Sequence, residues 1–253
     1  TVPQSAFSGI MHDMCGRYSL TTPVEAIRAL FGFDALPNLA LRYNIAPGQD
    51  VAAVRVPASG EGREFTAFRW GLVPSWAKDP AIGNRMINAR AETVAEKPSF
   101  RAPFRHRRCL IPADGFYEWQ KQDKGPKQPY RITLEGGAPF AFAGLWEHWQ
   151  DPGGDEIETC TIVTTEANEA LTPIHHRMPV ILDEDAFEAW LAADPKEAGA
   201  LLQPYRGWIE TTPISTLVNK VANDGPEIIE PAAPPEAPGT EDDPPDSTQL
   251  DLL

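Results

Sequence analysis

A chain of 253 residues with 42% hydrophobic side chains can bury one substantial core, so a single domain of roughly 200 residues is expected. Its 22 basic and 36 acidic residues leave a net charge of −14, which taken as an average counts against a nucleic-acid partner, because Lys and Arg that neutralise phosphate dominate that kind of affinity. No apolar run reaches the roughly 20 residues that span a bilayer, and the opening TVPQSAFSGIMHDM lacks the basic start and apolar stretch of a signal peptide, so a cytoplasmic protein with no membrane partner is expected.

In chain order, TTPVEAIRALFGF sets Thr22 as a cap, Pro23 at the first helical position and Glu25 three residues after the cap, which predicts a helix over about 23–31. DVAAVRV, EFTAFRW, PYRITL, PFAFAGLW and ETCTIVTT follow as short runs rich in β-branched and aromatic residues, separated by Gly, Pro and Asp clusters, and read as strands. DEDAFEAWLAA, PKEAGALLQ and ISTLVNKVA read as helices. Strands dominate without regular alternation with helices, so the expected fold is α+β, one domain with a mainly antiparallel, barrel-like sheet flanked by short helices.

The charge is unevenly spread. Pro226 to Leu253 holds eight acidic residues, seven prolines and no basic residue; without those eight charges the net −14 becomes −6. Such a segment cannot bury enough apolar surface to offset its ordering entropy, so 233–253 is expected to be a disordered acidic tail. Between Arg85 and Arg108 seven basic side chains face only Glu92 and Glu96. A solvated face and a phosphate-binding track are both consistent with that run. Cys15, Cys109 and Cys160 are odd in number and lack C-x-x-C spacing, which fits a reducing compartment and gives neither a disulfide framework nor a zinc site. There is no Walker sequence, no GxGxxG and no metal-ligand cluster, so no cofactor and no metal are expected.

Cys15 directly follows Met14. A chain that begins at Cys15 carries a free α-amine with a pKa near 8 beside a thiol with a pKa near 8.5. Such a 1,2-aminothiol condenses with an aldehyde to an imine, and the thiol then closes a thiazolidine ring. On its own the cysteine could equally be a small residue that begins a strand.

MCGRYSL at 14–20, RYNIAPGQ at 42–49, WGLVPSW at 70–76, INARAET at 87–93, ADGFYEW at 113–119, IVTTEAN at 162–168 and IHHRMP at 174–179 occur in one order and spacing. In that arrangement the chain resembles the SOS response-associated peptidase (SRAP) family, whose members crosslink to abasic sites in single-stranded DNA, over about residues 14–232. The resemblance implies a single-domain SRAP fold over 15–232, preceded by an extension at 1–14 that is absent or removed in the active protein. It implies Cys15 as the crosslinking nucleophile, with Asn88, Glu118 and His175 as the other catalytic residues. Arg17, Asn44, Pro47, Pro74, Trp76, Arg85, Arg90, Arg105, Thr164 and Arg177 are implied as DNA contacts. The implied partner is single-stranded DNA containing abasic sites, with replication proteins as further candidates, a monomeric state, and association with the nucleoid when DNA is bound.

These residue types suit the implied chemistry. Only the open-chain aldehyde of an abasic sugar reacts with an amine, and His175, with an ordinary pKa near neutrality, is a reasonable acid or base for opening the ring. Glu118, set among Phe116, Tyr117 and Trp119, can shuttle protons if burial raises its pKa. Asn88 supplies a neutral donor and acceptor. The plain readings stay open beside these: Asn88 as a turn cap, Glu118 as an ion-pair partner, His175 with His176 as a surface pair. Two other functions also stay open, a cysteine peptidase acting in trans and a non-catalytic single-strand-binding module. For residues 1–14 three origins compete: a start at Met14, self-cleavage before Cys15, or a retained extension that blocks the amine.

Overall fold

The computed structural model describes residues 15–151 and 153–232; the extension expected at 1–14 and the tail expected at 233–253 lie outside the described residues. Five strands close into a barrel: β3 (Asp50–Arg55), β4 (Glu64–Trp70), β6 (Arg108–Ala113), β9 (Phe140–Gln150) and β10 (Glu156–Glu166). They run in the ring order β10, β4, β3, β6, β9 and back to β10, and only the β10–β4 pair is parallel. β5 (Asn88–Arg90) and β11 (Arg177–Pro179) flank the far half of β10, the first parallel and the second antiparallel, and β12 (Ile181–Leu182) extends β9.

A second sheet leans on this barrel. It consists of β13 (Ile209–Pro213), β8 (Gln128–Leu134), β7 (Gly115–Gln120), β1 (Tyr18–Leu20) and β2 (Arg42–Ile45), in that order and wholly antiparallel. Tyr18 and Phe116, opposite each other in β1 and β7, project into the main core. There the Tyr18 ring meets Trp70 and Phe142 edge-on at 5.5 and 5.6 Å. The alternate face of β7 carries Tyr117 and Trp119 into a smaller cluster with Ile214, Val218 and Ile228. The helices are short and peripheral: α1 (Val24–Phe31), α2 (Arg101–His106), α3 (Phe187–Ala192) and α4 (Pro195–Ala200). The molecule is therefore α+β and largely antiparallel, as its strand-rich pattern implied.

Two local expectations give way. The capping box at α1 does not form: the cap is Pro23, and the Thr22 amide and hydroxyl both donate to Asp114 Oδ2, at 2.8 and 3.1 Å. Asp114, from the β6–β7 corner, also accepts from the Ser19 and Thr21 hydroxyls at 2.7 and 2.9 Å, and so takes up the Thr22 N–H that the local box would have satisfied. ISTLVNKVA forms only a 3-10 turn at Thr216–Asn219. Its Val218 carbonyl accepts from Arg17 and Asn44 in place of a helical N–H, which holds Val218 in the small core.

Candidate active site

Cys15 lies at the mouth between the two sheets, on the strand edge that leads into β1, and is 1% exposed. The register that sets Tyr18 opposite Phe116, with the Tyr117 N–H donating to the Arg17 carbonyl at 3.0 Å, brings Cys15 to the end of β7 that carries Glu118. Phe116 and Glu118 share a face of β7, so the glutamate is carried inward with the core residue before it. From the other sheet, β5 presents Asn88, whose Nδ2 donates to the Cys15 carbonyl at 3.1 Å. Two sheets thus meet on one residue.

Glu118 is 4% exposed, and burial pushes its pKa up to about 8, opposed by the charge of Lys127 and by the backbone N–H groups of Trp119 and Cys15 that face the carboxylate. The nitrogen that would become an α-amine when Cys15 leads the chain therefore lies against a carboxyl group that holds its proton near neutral pH. The Cys15 thiol is also raised, by burial first and then by the negative charge of Glu118, with the Arg17 backbone N–H opposing. Glu118 Oε1 and Asn88 Oδ1 are buried without a hydrogen-bond partner. Buried acceptors left open are uncommon and unfavourable by about 1–3 kcal/mol each; here both flank Cys15, where a substrate hydroxyl or an amine proton would satisfy them.

His175 arrives on the segment between β10 and β11. Its Nδ1 accepts the Arg177 backbone N–H at 3.1 Å in the tautomer that carries the proton on Nε2, and its ring lies 4.5 Å from that of His176. Gln120, two residues beyond Glu118, donates from Nε2 to the Pro173 carbonyl at 2.9 Å, which ties the histidine segment to the end of β7.

The residues expected to contact DNA divide into two groups. Arg85, Arg90 and Arg105 are exposed, and their guanidinium groups make no hydrogen bond or salt bridge among the described residues. Arg90 follows Asn88 by two positions in β5, so both side chains leave the same side of the strand. Trp76 is 59% exposed on the loop that begins at buried Pro74, and Pro47 is half-buried in the turn after β2. That loop can fold back because Gly71 and Gly83 touch: a Cβ on Gly83 would lie 2.5 Å from the Gly71 carbonyl oxygen.

The second group holds partners within the protein. Arg17 donates to Asn44 Oδ1 at 2.9 Å and to the Val218 carbonyl at 2.7 Å, and burial lowers its pKa. Asn44 is fully buried, and its amide donates to three carbonyls of the 218–223 segment. Arg177 forms a two-pronged pair with Glu92 at 2.6 and 3.0 Å and donates to the carbonyl of buried Thr164 at 2.8 Å. The basic run at 85–108 is also narrower in space than in sequence. Arg107 pairs with Glu147 at 2.7 Å, and Arg108 is buried against the Phe104, Trp190 and Ala193 carbonyls.

The SOS response associated peptidase (SRAP) profile matches residues 14–221. The chain belongs to the SRAP family. Similar proteins include the abasic site processing protein YoqW of Bacillus subtilis, 46% identical over 224 residues that cover 86% of this chain and 99% of that protein. The abasic site processing protein HMCES of Gallus gallus is 38% identical over 205 residues, 70% of this chain and 60% of its own. Among solved structures, a Bacteroides thetaiotaomicron protein superposes with a TM-score of 0.77 at 29% identity, covering 87% of this chain and all of that one.

Within this SRAP protein one contributor near the site had not been singled out from sequence. Lys127 acts on Glu118 from the residue before β8, and the register that pairs Gln120 with Gln128 brings it there. Reading ADGFYEWQ and KQPYRITL as the two arms of one hairpin would have exposed it. No group of His, Cys, Asp and Glu able to hold a metal occurs among the described residues, and no helix there is long and apolar enough to cross a membrane.

Proposed function

We propose that this SRAP protein processes abasic sites in single-stranded DNA by joining itself to the lesion through the α-amine and thiol of Cys15. The reading rests on the convergence of the Cys15 nitrogen and thiol with Glu118 and Asn88, whose two unpartnered oxygens flank the nucleophile. The relatives named for abasic site processing give the substrate class.

In the chain that begins at Cys15, Glu118 takes a proton from the Cys15 ammonium, which frees the amine, and passes it to the ring oxygen of the abasic sugar or to the hydroxyl that departs later. The freed amine adds to the C1 aldehyde, and loss of one water forms the imine. The thiol then adds across that C=N bond: sulfur bonds to C1, the thiol proton passes to nitrogen, and a thiazolidine results. Asn88 holds the Cys15 carbonyl and so fixes the backbone that carries both nucleophiles. His175 is assigned to proton transfer during ring opening. Arg85, Arg90 and Arg105 supply phosphate contacts, and Trp76 a stacking surface for a neighbouring base.

The same contacts support removal of residues 1–14 by the protein itself. Attack of the Cys15 thiol on the preceding carbonyl makes Cys15 nitrogen the leaving group, and the Glu118 carboxyl that faces it supplies the proton; water then hydrolyses the thioester and leaves a free aminothiol. A peptidase acting in trans is the weaker reading. A cysteine nucleophile of that kind needs a lowered thiol pKa beside a cation, whereas burial and Glu118 raise this one.

Intact mass spectrometry of the protein, before and after incubation with a single-stranded oligonucleotide that contains one abasic site, tests the proposal. A chain that begins at Cys15 and gains one oligonucleotide mass, less one water, is the expected result, with no adduct from Cys15→Ala. An adduct that survives Cys15→Ala, or a processed chain that forms none, overturns it.

A further inference from the structure

At the other end of the second sheet the molecule carries a groove that the chemistry at Cys15 leaves unused. Tyr130 of β8 stands opposite Glu118, and Leu134, which lines the groove, lies four residues farther along the same strand, or about 13 Å at 3.3 Å per residue. The groove has a volume of about 440 Å³. Its floor is apolar, formed by Leu134, Phe140 and Phe187.

One wall is aromatic. Trp208 is 67% exposed, the most exposed of the large hydrophobic side chains among the described residues, and its indole N–H has no partner there. It precedes Ile209, which is buried at the start of the edge strand β13, so the backbone that anchors Ile209 holds the indole outward. Tyr205 lies beside it, its ring over the backbone of Gly207: a Cβ there would come within 2.5 Å of the Tyr205 hydroxyl. Glycine at 207 lets the Tyr205 ring lie against the backbone there.

The rim is acidic. Glu135, Asp183 and Glu184 line it, all exposed, Asp183 with a hydrogen bond from Tyr205, and no Lys or Arg does. Three carboxylates repel a nucleic-acid phosphate, and they equally repel the segment beyond Pro226, with its eight acidic and no basic residues. An electron-rich indole face beside carboxylates over an apolar floor suits a cation with an aliphatic stem, since Arg and Lys combine attraction to the ring face with burial of their methylenes.

We propose that this groove docks a partner protein through a segment that presents an arginine or lysine between apolar side chains. Because the groove lies about 13 Å along β8 from the position opposite Glu118, the partner is held while DNA occupies the Cys15 site. The proposal is independent of the chemistry assigned to Cys15.

The test follows the Trp208 indole resonance of the full-length protein by NMR while three nonapeptide pools are added. The pools share randomised apolar flanks and differ only in a central arginine, leucine or glutamate. The arginine pool is expected to shift the resonance at millimolar peptide or below, and to do so less as salt rises. Trp208→Ala, followed on neighbouring Ile209, and Asp183→Asn are each expected to weaken binding by roughly tenfold, with abasic-site adduct formation unchanged. No shift from the arginine pool at 5 mM, or equal shifts from the leucine or glutamate pools, would overturn the proposal. So would self-association of the free protein that moves the same resonance, which would assign the groove to a second copy of this chain.

Discussion

Replacing Glu118 by Gln should make the protein more stable and less active, and the size of the gain should depend on pH. The Glu118 carboxyl is raised from 4.5 to about 8 by burial. Between those values the folded state binds more protons than the unfolded state, so stability falls as pH rises through the window and the loss is complete above the folded value. At about 1.4 kcal/mol per pH unit, the penalty is roughly 3 kcal/mol at pH 7 and near 5 kcal/mol above pH 8. Glutamine cannot ionise and keeps an oxygen to accept the Cys15 N–H. A gain of that size corresponds to a rise in Tm of about 6–12 °C at pH 7 for a chain of this length. Thermal unfolding of both proteins at pH 5, 7 and 8.5, with residues still joined ahead of Cys15, should give a difference that is small at pH 5 and widens upward. In a chain that begins at Cys15, the α-ammonium beside the carboxylate lowers the glutamate pKa, and the difference should shrink. A difference that stays flat with pH, or a Gln variant less stable throughout, would refute the account of Glu118 as a carboxyl kept neutral by burial.

Three other outcomes follow from the geometry. Arg90→Ala removes an exposed guanidinium without an ion pair, so Tm should hold while binding to intact single-stranded DNA weakens and the log–log salt slope falls by about 0.7, one phosphate contact, as read by fluorescence anisotropy. Trp76→Ala, at a side chain 59% exposed, should also leave Tm in place and cost about 1–3 kcal/mol of single-strand affinity if one base stacks there; an unchanged Kd would remove the stacking role. Gly83→Ala sets a methyl 2.5 Å from a backbone oxygen and should destabilise by about 1–3 kcal/mol, seen as a lower urea midpoint with an unchanged slope.

Where the signal was local, the sequence carried it. The periodicity of VEAIRALF and the β-branched and aromatic runs at 50–55 and 64–70 are complete within themselves, and each formed the element expected. Three-residue strands such as β1, β5 and β11 hold too few residues for a period, and exist because β7 and β10 offer them an edge. Exposure was equally out of reach. Arg105 and Arg108 lie three residues apart in one basic run, yet the first is exposed and the second is buried against carbonyls from the α3 end. Which of two neighbouring arginines faces phosphate is decided by helices that pack from elsewhere in the chain. The blocks around Cys15, Asn88 and Glu118 could be picked out by order and spacing, but their meeting at one point needed the register of two sheets.

That convergence also explains how the fold buries the Cys15 site. Each sheet alone would leave Cys15 at a strand end open to water. Closing β5 of the barrel side over β1 and β7 buries the thiol and the carboxyl together. Burial raises both pKa values for the same physical reason, so with residues still joined ahead of Cys15 the site holds its protons and stays uncharged. The protein thereby avoids two buried anions side by side, which would repel each other. The same desolvation that destabilises the folded state above the glutamate's pKa is what keeps this carboxyl protonated near neutral pH while residues are joined ahead of Cys15.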